Sequence, residues 1–142
     1  MSRKRTNART HAIQAIYQWQ VTGQDLADIV NQFLLDNDNK SFDVGMFRDL
    51  VSGVPTNLDR LDGELAPLLD REIEKVDLVE RAILRVGAFE IADHPEVPYR
   101  VVINEYVELG KSFGADQGHR YINGILDKLA HKLRPQEVAA RS

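Results

Sequence analysis

Apolar residues recur along this chain at the three-and-four spacing of helices, and no stretch alternates apolar with polar over strand lengths. Ala12, Ala15, Ile16 and Trp19 form a first stripe, and Leu26, Ile29, Val30, Phe33 and Leu34 a second. Thr22-Gly23-Gln24-Asp25 between them resembles a capping box with an acid in place of the usual Glu or Gln. The polar run from Asp36 to Ser41 reads as a loop. Val44, Phe47, Leu50, Val51 and Val54 predict a third helix stopped by Gly53 and Pro55. A fourth carries Leu58, Leu61, Leu65, Leu68 and Leu69 and is expected to kink or split at Pro67, which lacks a backbone donor.

From Leu78 to Ala92 the chain is apolar nearly all round, the mark of a helix at the centre of a core. Asp77 to Glu80 caps it, and its charges, Glu80, Arg81, Arg85 and Glu90, are expected where it surfaces. Asp93-His94-Pro95 ends it, and Pro98 opens a helix whose face is Tyr99, Val102, Ile103, Tyr106, Val107, Gly110 and Phe113, with Gly114 as its stop. Asp116 is placed to cap a last helix striped by Ile122, Ile125, Leu126, Leu129 and Leu133, closed by Pro135 and followed by a frayed tail. The pattern predicts an all-α fold of about seven helices in one domain over residues 1–142. An N-terminal lobe is expected over about 8–74 and a C-terminal lobe over about 77–134, with a tail at 135–142. Asn104, Glu105, Asn123 and Gly124 sit inside helical pattern, where Asn and Gly are unfavourable; that cost points to close helix packing or a binding surface.

With 43% apolar residues the chain can fill a core, and with no cysteine it can form neither a disulfide framework nor a Cys-type zinc site. That composition fits a reducing cytoplasm. Met1 to Arg9 is basic, with no apolar segment behind it to make a secretory signal. No apolar run approaches the roughly 20 residues that span a bilayer, so no membrane association is expected. The net charge of −4 argues against a generic nucleic-acid binder, but its distribution changes that picture. Residues 1–24 carry four bases and no acid, residues 25–108 carry 19 acids against 8 bases, and residues 109–142 carry 6 bases against 3 acids. If the basic ends meet in the fold they form a local anion site on an acidic protein.

The chain has no phosphate loop, dinucleotide turn or nucleophile elbow, and no cofactor is expected. Glu105 and Glu108 with Lys111 follow the pattern of a charged helix surface rather than an acid/base pair, and His119 three residues after Asp116 is a weak metal spacing. The chain reads as a binder, not an enzyme. Arg5, Arg9, Ile13 and Tyr17 step by four along the first helix. The arginines can then meet phosphates and Tyr17 an unstacked base, the equipment of single-stranded RNA binding. The plainer reading is a core-edge tyrosine and a solvated basic arm. Tyr121 beside Arg120 is a similar case, and Lys128 is either a phosphate contact or a surface lysine. Glu80, Arg81 and Arg85 are candidates for a protein-partner interface, or else form local ion pairs.

These residues carry a resemblance. Val97 to Glu105 continuing through Glu108-Leu109-Gly110-Lys111-Ser112-Phe113-Gly114, together with Tyr121 to Lys128, Glu80 to Arg85 and Ala15 to Gln20, is similar to the NusB family of transcription antitermination factors over essentially residues 3–135. The resemblance implies an all-helical fold of two small packed bundles. It implies a non-enzymatic factor that binds boxA-type single-stranded RNA of ribosomal RNA transcripts. The partner implied is the small-subunit ribosomal protein that doubles as Nus factor E, in an assembly with RNA polymerase and other Nus factors. Carried over by position, Lys4, Arg5, Arg9 and Tyr17 with Gln117 and Tyr121 form the RNA surface, which Lys128 extends. The helices at 78–92 and 98–113 offer the ribosomal-protein surface through Glu80, Arg81, Arg85 and Glu105. Thr6 and Asn7 interrupt what is often a denser arginine run in this family, and Gln117-Gly118 fill a segment that is often more acidic. A homodimer that covers Arg9 and Tyr17 is a further possibility. The same module also resembles the N-terminal domain of ribosomal-RNA cytosine methyltransferases, and a pure protein scaffold is the remaining alternative.

Overall fold

The computed structural model describes residues 3–113 and 118–140. Eight α-helices account for nearly all of them: α1 (Arg3–Thr22), α2 (Leu26–Asp36), α3 (Val44–Thr56), α4 (Leu58–Leu65), α5 (Leu78–Asp93), α6 (Tyr99–Ser112), α7 (Gly118–Leu133) and α8 (Pro135–Ala140). Two short 3₁₀ turns, Ala66–Leu68 and Ile73–Lys75, join α4 to α5. The fold is all-α, as the spacing predicts.

The central position of α5 is borne out. Ten consecutive residues, Ala82 to Ile91, are buried, and α5 touches α1, α3, α4, α6 and α7. Its start is fixed by Asp77, whose carboxylate accepts from the backbone N–H groups of Val79 and Glu80. On one side α1 lies against α5, α3 and α2, and on the other α6 and α7 pack on α5 and on each other. The buried apolar residues form one continuous core.

Three expectations change. Asp25 itself caps α2, accepting from Ala27 N–H at 3.0 Å, while Thr22 is the last residue of α1; the capping-box register is displaced. Gly53 and Pro55 do not stop α3, which runs on to Thr56. Gly53 serves packing instead: a Cβ there would lie 2.2 Å from Phe89 Cζ, so the bare backbone lets α3 approach α5. Pro55 lies inside the last turn of α3, where it removes one i→i−4 hydrogen bond without ending the helix. Pro67, by contrast, does end α4, in the turn at Ala66–Leu68.

The third change is the tail, whose described residues, Pro135 to Ala140, form a docked helix rather than a frayed end. Arg134 is 7% exposed and donates to the carbonyls of Ile91 (2.9 Å), Val97 (2.6 Å), Glu90 (3.3 Å) and His94 (2.9 Å). It thereby satisfies the Ile91 carbonyl left over at the C-terminus of α5 and the Val97 carbonyl in the connection to α6. Glu137 accepts from the Tyr99 N–H at 2.8 Å, supplying the start of α6 with a partner that Pro98 lacks the side chain to give. Val138 is buried beneath them. The expected Gly114 stop and Asp116 cap lie outside the described residues.

Candidate nucleic-acid and partner interface

Each step of four along an α-helix advances about 40° round its axis. Over Arg5, Arg9, Ile13 and Tyr17 the drift decides which side chains stay wet. Arg9 and Ile13 fall in the buried sector at 1% exposure each, and Tyr17 emerges beyond it at 39%. Arg5 points in the same general direction as Arg9 but sits past the end of the core and is exposed, as is Lys4.

Arg9 is therefore a correction to the expected phosphate contacts. Its Nε and Nη2 donate to the two oxygens of Glu90 at 2.9 and 2.6 Å, and its Nη1 donates to Glu105 at 2.8 Å. Tyr106 donates to Glu90 at 2.7 Å and Thr6 to Glu105 at 2.7 Å. The node ties α1, α5 and α6 together. Burial opposes the charge on Arg9, but the bonds and charge of Glu90 outweigh it and raise the guanidinium's pKa. The Tyr106 hydroxyl is pushed well up by burial and by the Glu90 carboxylate. Glu90 is 0% exposed, so it does not mark a place where α5 surfaces.

The partner residues divide in the same way. Arg85, 8% exposed, donates to both oxygens of Asp62 (3.0 and 2.8 Å) and to Gln20 (3.0 Å), pinning α5 to α4 and α1. Arg81 donates to the carbonyls of Glu74 and Val76 and holds the segment before α5. Glu105 is committed to Arg9 and Thr6. These three brace the frame through bonds within the chain, the alternative that the sequence reading set beside a partner interface. Glu80 remains half-buried at the start of α5, with no side-chain hydrogen bond among the described residues. Partial burial and the neighbouring Asp77 raise its carboxyl pKa, against the pull of Arg71.

The structure ties Tyr121 to the connection between α4 and α5. The Tyr121 hydroxyl donates to Asp70 at 2.9 Å, and the Arg71 guanidinium lies 5.5 Å from the Tyr121 ring centre. Arg71 also chelates Asp70, at 2.8 Å to each oxygen. These two bonds and that of Tyr121 hold the Asp70 carboxyl down at about 2. Tyr121 itself is raised, first by burial and then by its bond to Asp70. Tyr121, Asp70 and Arg71 form one cluster spanning α7 and the α4–α5 connection, and Arg71 acts electrostatically on Glu80 at the start of α5. Asp70 and Arg71 were missed in the sequence because they lie in a connection without periodicity. Lys128 is exposed on α7 and Gln117 lies outside the described residues.

Lys4, Arg5 and Tyr17 on α1 thus remain accessible, as do Tyr121, Lys128 and Glu80 elsewhere. Among the described residues no three His, Cys, Asp or Glu side chains are grouped to hold a metal ion, and no helix is long and apolar enough to cross a membrane. The molecule is a helical frame whose buried charges lock its elements, with Lys4, Arg5, Lys128 and Tyr17 exposed on its surface.

The chain belongs to the NusB family, whose sequence model matches residues 6–131. The transcription antitermination protein NusB of Nitrosococcus oceani is 52% identical over 142 residues, covering 100% of this chain and 95% of that protein. The protein of the same name from Edwardsiella ictaluri is 49% identical over 131 residues, covering 92% and 94%. A solved T. maritima NusB superposes with a TM-score of 0.83 at 24% identity, covering 98% of this chain and 99% of that one. A crystal structure of antitermination factors NusB and NusE in complex with dsRNA contains a chain matching at TM-score 0.79 and 21% identity, over 93% and 99%.

Proposed function

We propose that this chain is a transcription antitermination factor. It binds boxA-type single-stranded RNA of ribosomal RNA transcripts together with the small-subunit ribosomal protein that serves as Nus factor E. It acts in the cytoplasm, within an assembly that holds RNA polymerase and other Nus factors and suppresses premature termination. The observation that carries this reading is the family match over residues 6–131, joined to relatives of about half identity that bear the antitermination name. The site geometry supports it. Lys4 and Arg5 supply phosphate contacts and Tyr17 a stacking ring, with Tyr121 and Lys128 extending the surface. Glu80 meets the ribosomal protein, and Arg71 beside it joins that contact.

Fluorescence anisotropy of a short boxA RNA against a scrambled control, with and without the ribosomal protein and at two salt concentrations, tests the proposal. A partner-enhanced preference for boxA that weakens as salt rises is expected, since phosphate contacts release counterions. No preference under any condition would sink it. Tyr17→Ala is expected to weaken RNA binding by about tenfold, within the range of one lost base stack.

A further inference from the structure

The connection from α5 to α6, His94-Pro95-Glu96-Val97-Pro98, carries two prolines and so cannot continue α5. It borders a cleft of about 690 Å³ that it shares with α1, α3 and α6. Met46 of α3, Val97, Pro98 and Val101 give the cleft an apolar wall, and the buried pair of Arg9 with Glu90 forms its floor. A hollow of this size, lined by apolar groups with a few convergent polar ones, is the shape that holds a small molecule.

The charges of the cleft define that molecule. Arg9 and Glu90 cancel one another. Of the remaining lining groups, Asp43, Asp49 and Glu96 outnumber Arg5 and His94 even when His94 is protonated. The excess is felt at His94, whose two ring nitrogens both face carboxylates: Nδ1 lies 2.8 Å from Glu96, and Nε2 meets Asp49 of α3. A neutral imidazole has one N–H and one lone pair, so it answers one carboxylate and sets a lone pair against the other. The rest of its surroundings do not help. The Phe89 ring of α5 packs against it at 5.6 Å and brings no charge. Arg134 bonds the His94 carbonyl rather than the ring and acts on Glu96 only at longer range. Neither Asp49 nor Glu96 makes a second ion pair among the described residues.

We infer that this cleft binds a small amphipathic amine, whose ammonium group neutralises the Asp49 and Glu96 carboxylates in place of the His94 proton and whose hydrocarbon part lies on the wall from Met46 to Val101. An ammonium group brings three donors and a full positive charge, the two things a neutral His94 lacks. The same excess of carboxylates disfavours an anion there. Where His94 is charged, binding releases its proton to solvent.

The experiment is an NMR titration of the full chain with n-hexylamine, n-hexanol and hexanoate, read at the methyl groups of Met46, Val97 and Val101. Hexylamine is expected to bind about tenfold more tightly than hexanol, the difference made by charge-assisted hydrogen bonds, and hexanoate not to bind. Because amine and proton compete, hexylamine affinity should rise by up to about tenfold per pH unit through the His94 titration and level off above it. In His94→Gln that rise is absent. Glu96→Gln, an exposed change whose fold is checked by thermal melting, should weaken hexylamine binding by about three- to fivefold. Equal affinity for hexanol, a preference for hexanoate, or unchanged affinity in Glu96→Gln overturns the inference. A pH dependence that persists in His94→Gln overturns it as well, and shifts confined to residues outside the cleft reduce the amine to an adventitious contact only and do the same. All of these leave the proposed function standing, since it rests on the family match.

Discussion

Two arginine-centred clusters in this molecule use nearly the same chemistry to opposite ends. Arg9 on α1 engages Glu90, Glu105 and, through Glu90, Tyr106, with side-chain exposures of 2% for Arg9 and 1% for Glu90. Arg71 engages Asp70 and Tyr121 with exposures of 50% and 56% for the two ions. In the first, each group left without its partner would be a buried charge. In the second, water replaces any partner that leaves. The same pair of residue types is therefore a structural lock in one place and a re-usable surface in the other. What separates them is solvent, not bond geometry, because the distances match within a few tenths of an ångström.

That contrast sets the scale of the expected effects. Arg9→Ala is expected to destabilise the fold by about 3–5 kcal/mol, since it strands the Glu90 carboxylate in the core; urea unfolding followed by circular dichroism measures this. A loss under about 1 kcal/mol would mean that the node is wet and the comparison false. Arg134→Ala comes next, at about 2–3 kcal/mol, because it leaves the carbonyls of Ile91 and Val97 without their donor. Hydrogen exchange should report the loss first as faster exchange in α8.

On the exposed side, Tyr121→Phe is expected to change stability by no more than about 0.5 kcal/mol. It should instead raise the Asp70 pKa from about 2 toward the ordinary carboxylate range, as one of its two hydrogen-bond donors is lost. Carboxyl NMR titration reads this directly, and an unmoved Asp70 would show that Arg71 holds it unaided.

The smallest effect concerns His94, the residue that ends α5. It bonds Asp49 of α3 on one ring nitrogen and Glu96 on the other at 2.8 Å. Burial lowers its pKa, but these two bonds outweigh it and the net shift is upward. A group raised on folding contributes stability that is complete below the unfolded pKa, about 6.5, and is lost as pH rises through the folded value. The melting temperature should therefore carry a component that declines over the first units above the ordinary histidine range and is absent in His94→Gln. An identical decline in that variant would assign the effect elsewhere.

The helices themselves were legible in the chain because burial of one face imposes its period locally. The stripes at Val44 to Val54, Leu78 to Ala92 and Tyr99 to Phe113 appear as α3, α5 and α6. The Asp77 cap and the break at Pro67 are equally local, each resting on a few adjacent backbone groups. A stretch such as Pro135 to Ala140 carries no apolar stripe of its own, and its order comes from Arg134 and Glu137 reaching backbone groups some forty residues earlier. Nothing nearby in the sequence records such a contact.

The candidate site shows the same limit more sharply. Arg5 and Arg9 are equivalent by residue type and nearly so by helix phase, yet one is exposed and the other 1% exposed, because α6 brings Glu105 and α5 brings Glu90 against only the second. Arg85 and Arg81 are similarly claimed by Asp62 and by the carbonyls of Glu74 and Val76. Periodicity could say which residues form helices and which helix is central, since those follow from interactions within a few turns. Whether a given charge faces water or a counter-charge depends on which distant helices pack against it, and that was settled by the assembly of α1, α5 and α6 around one core.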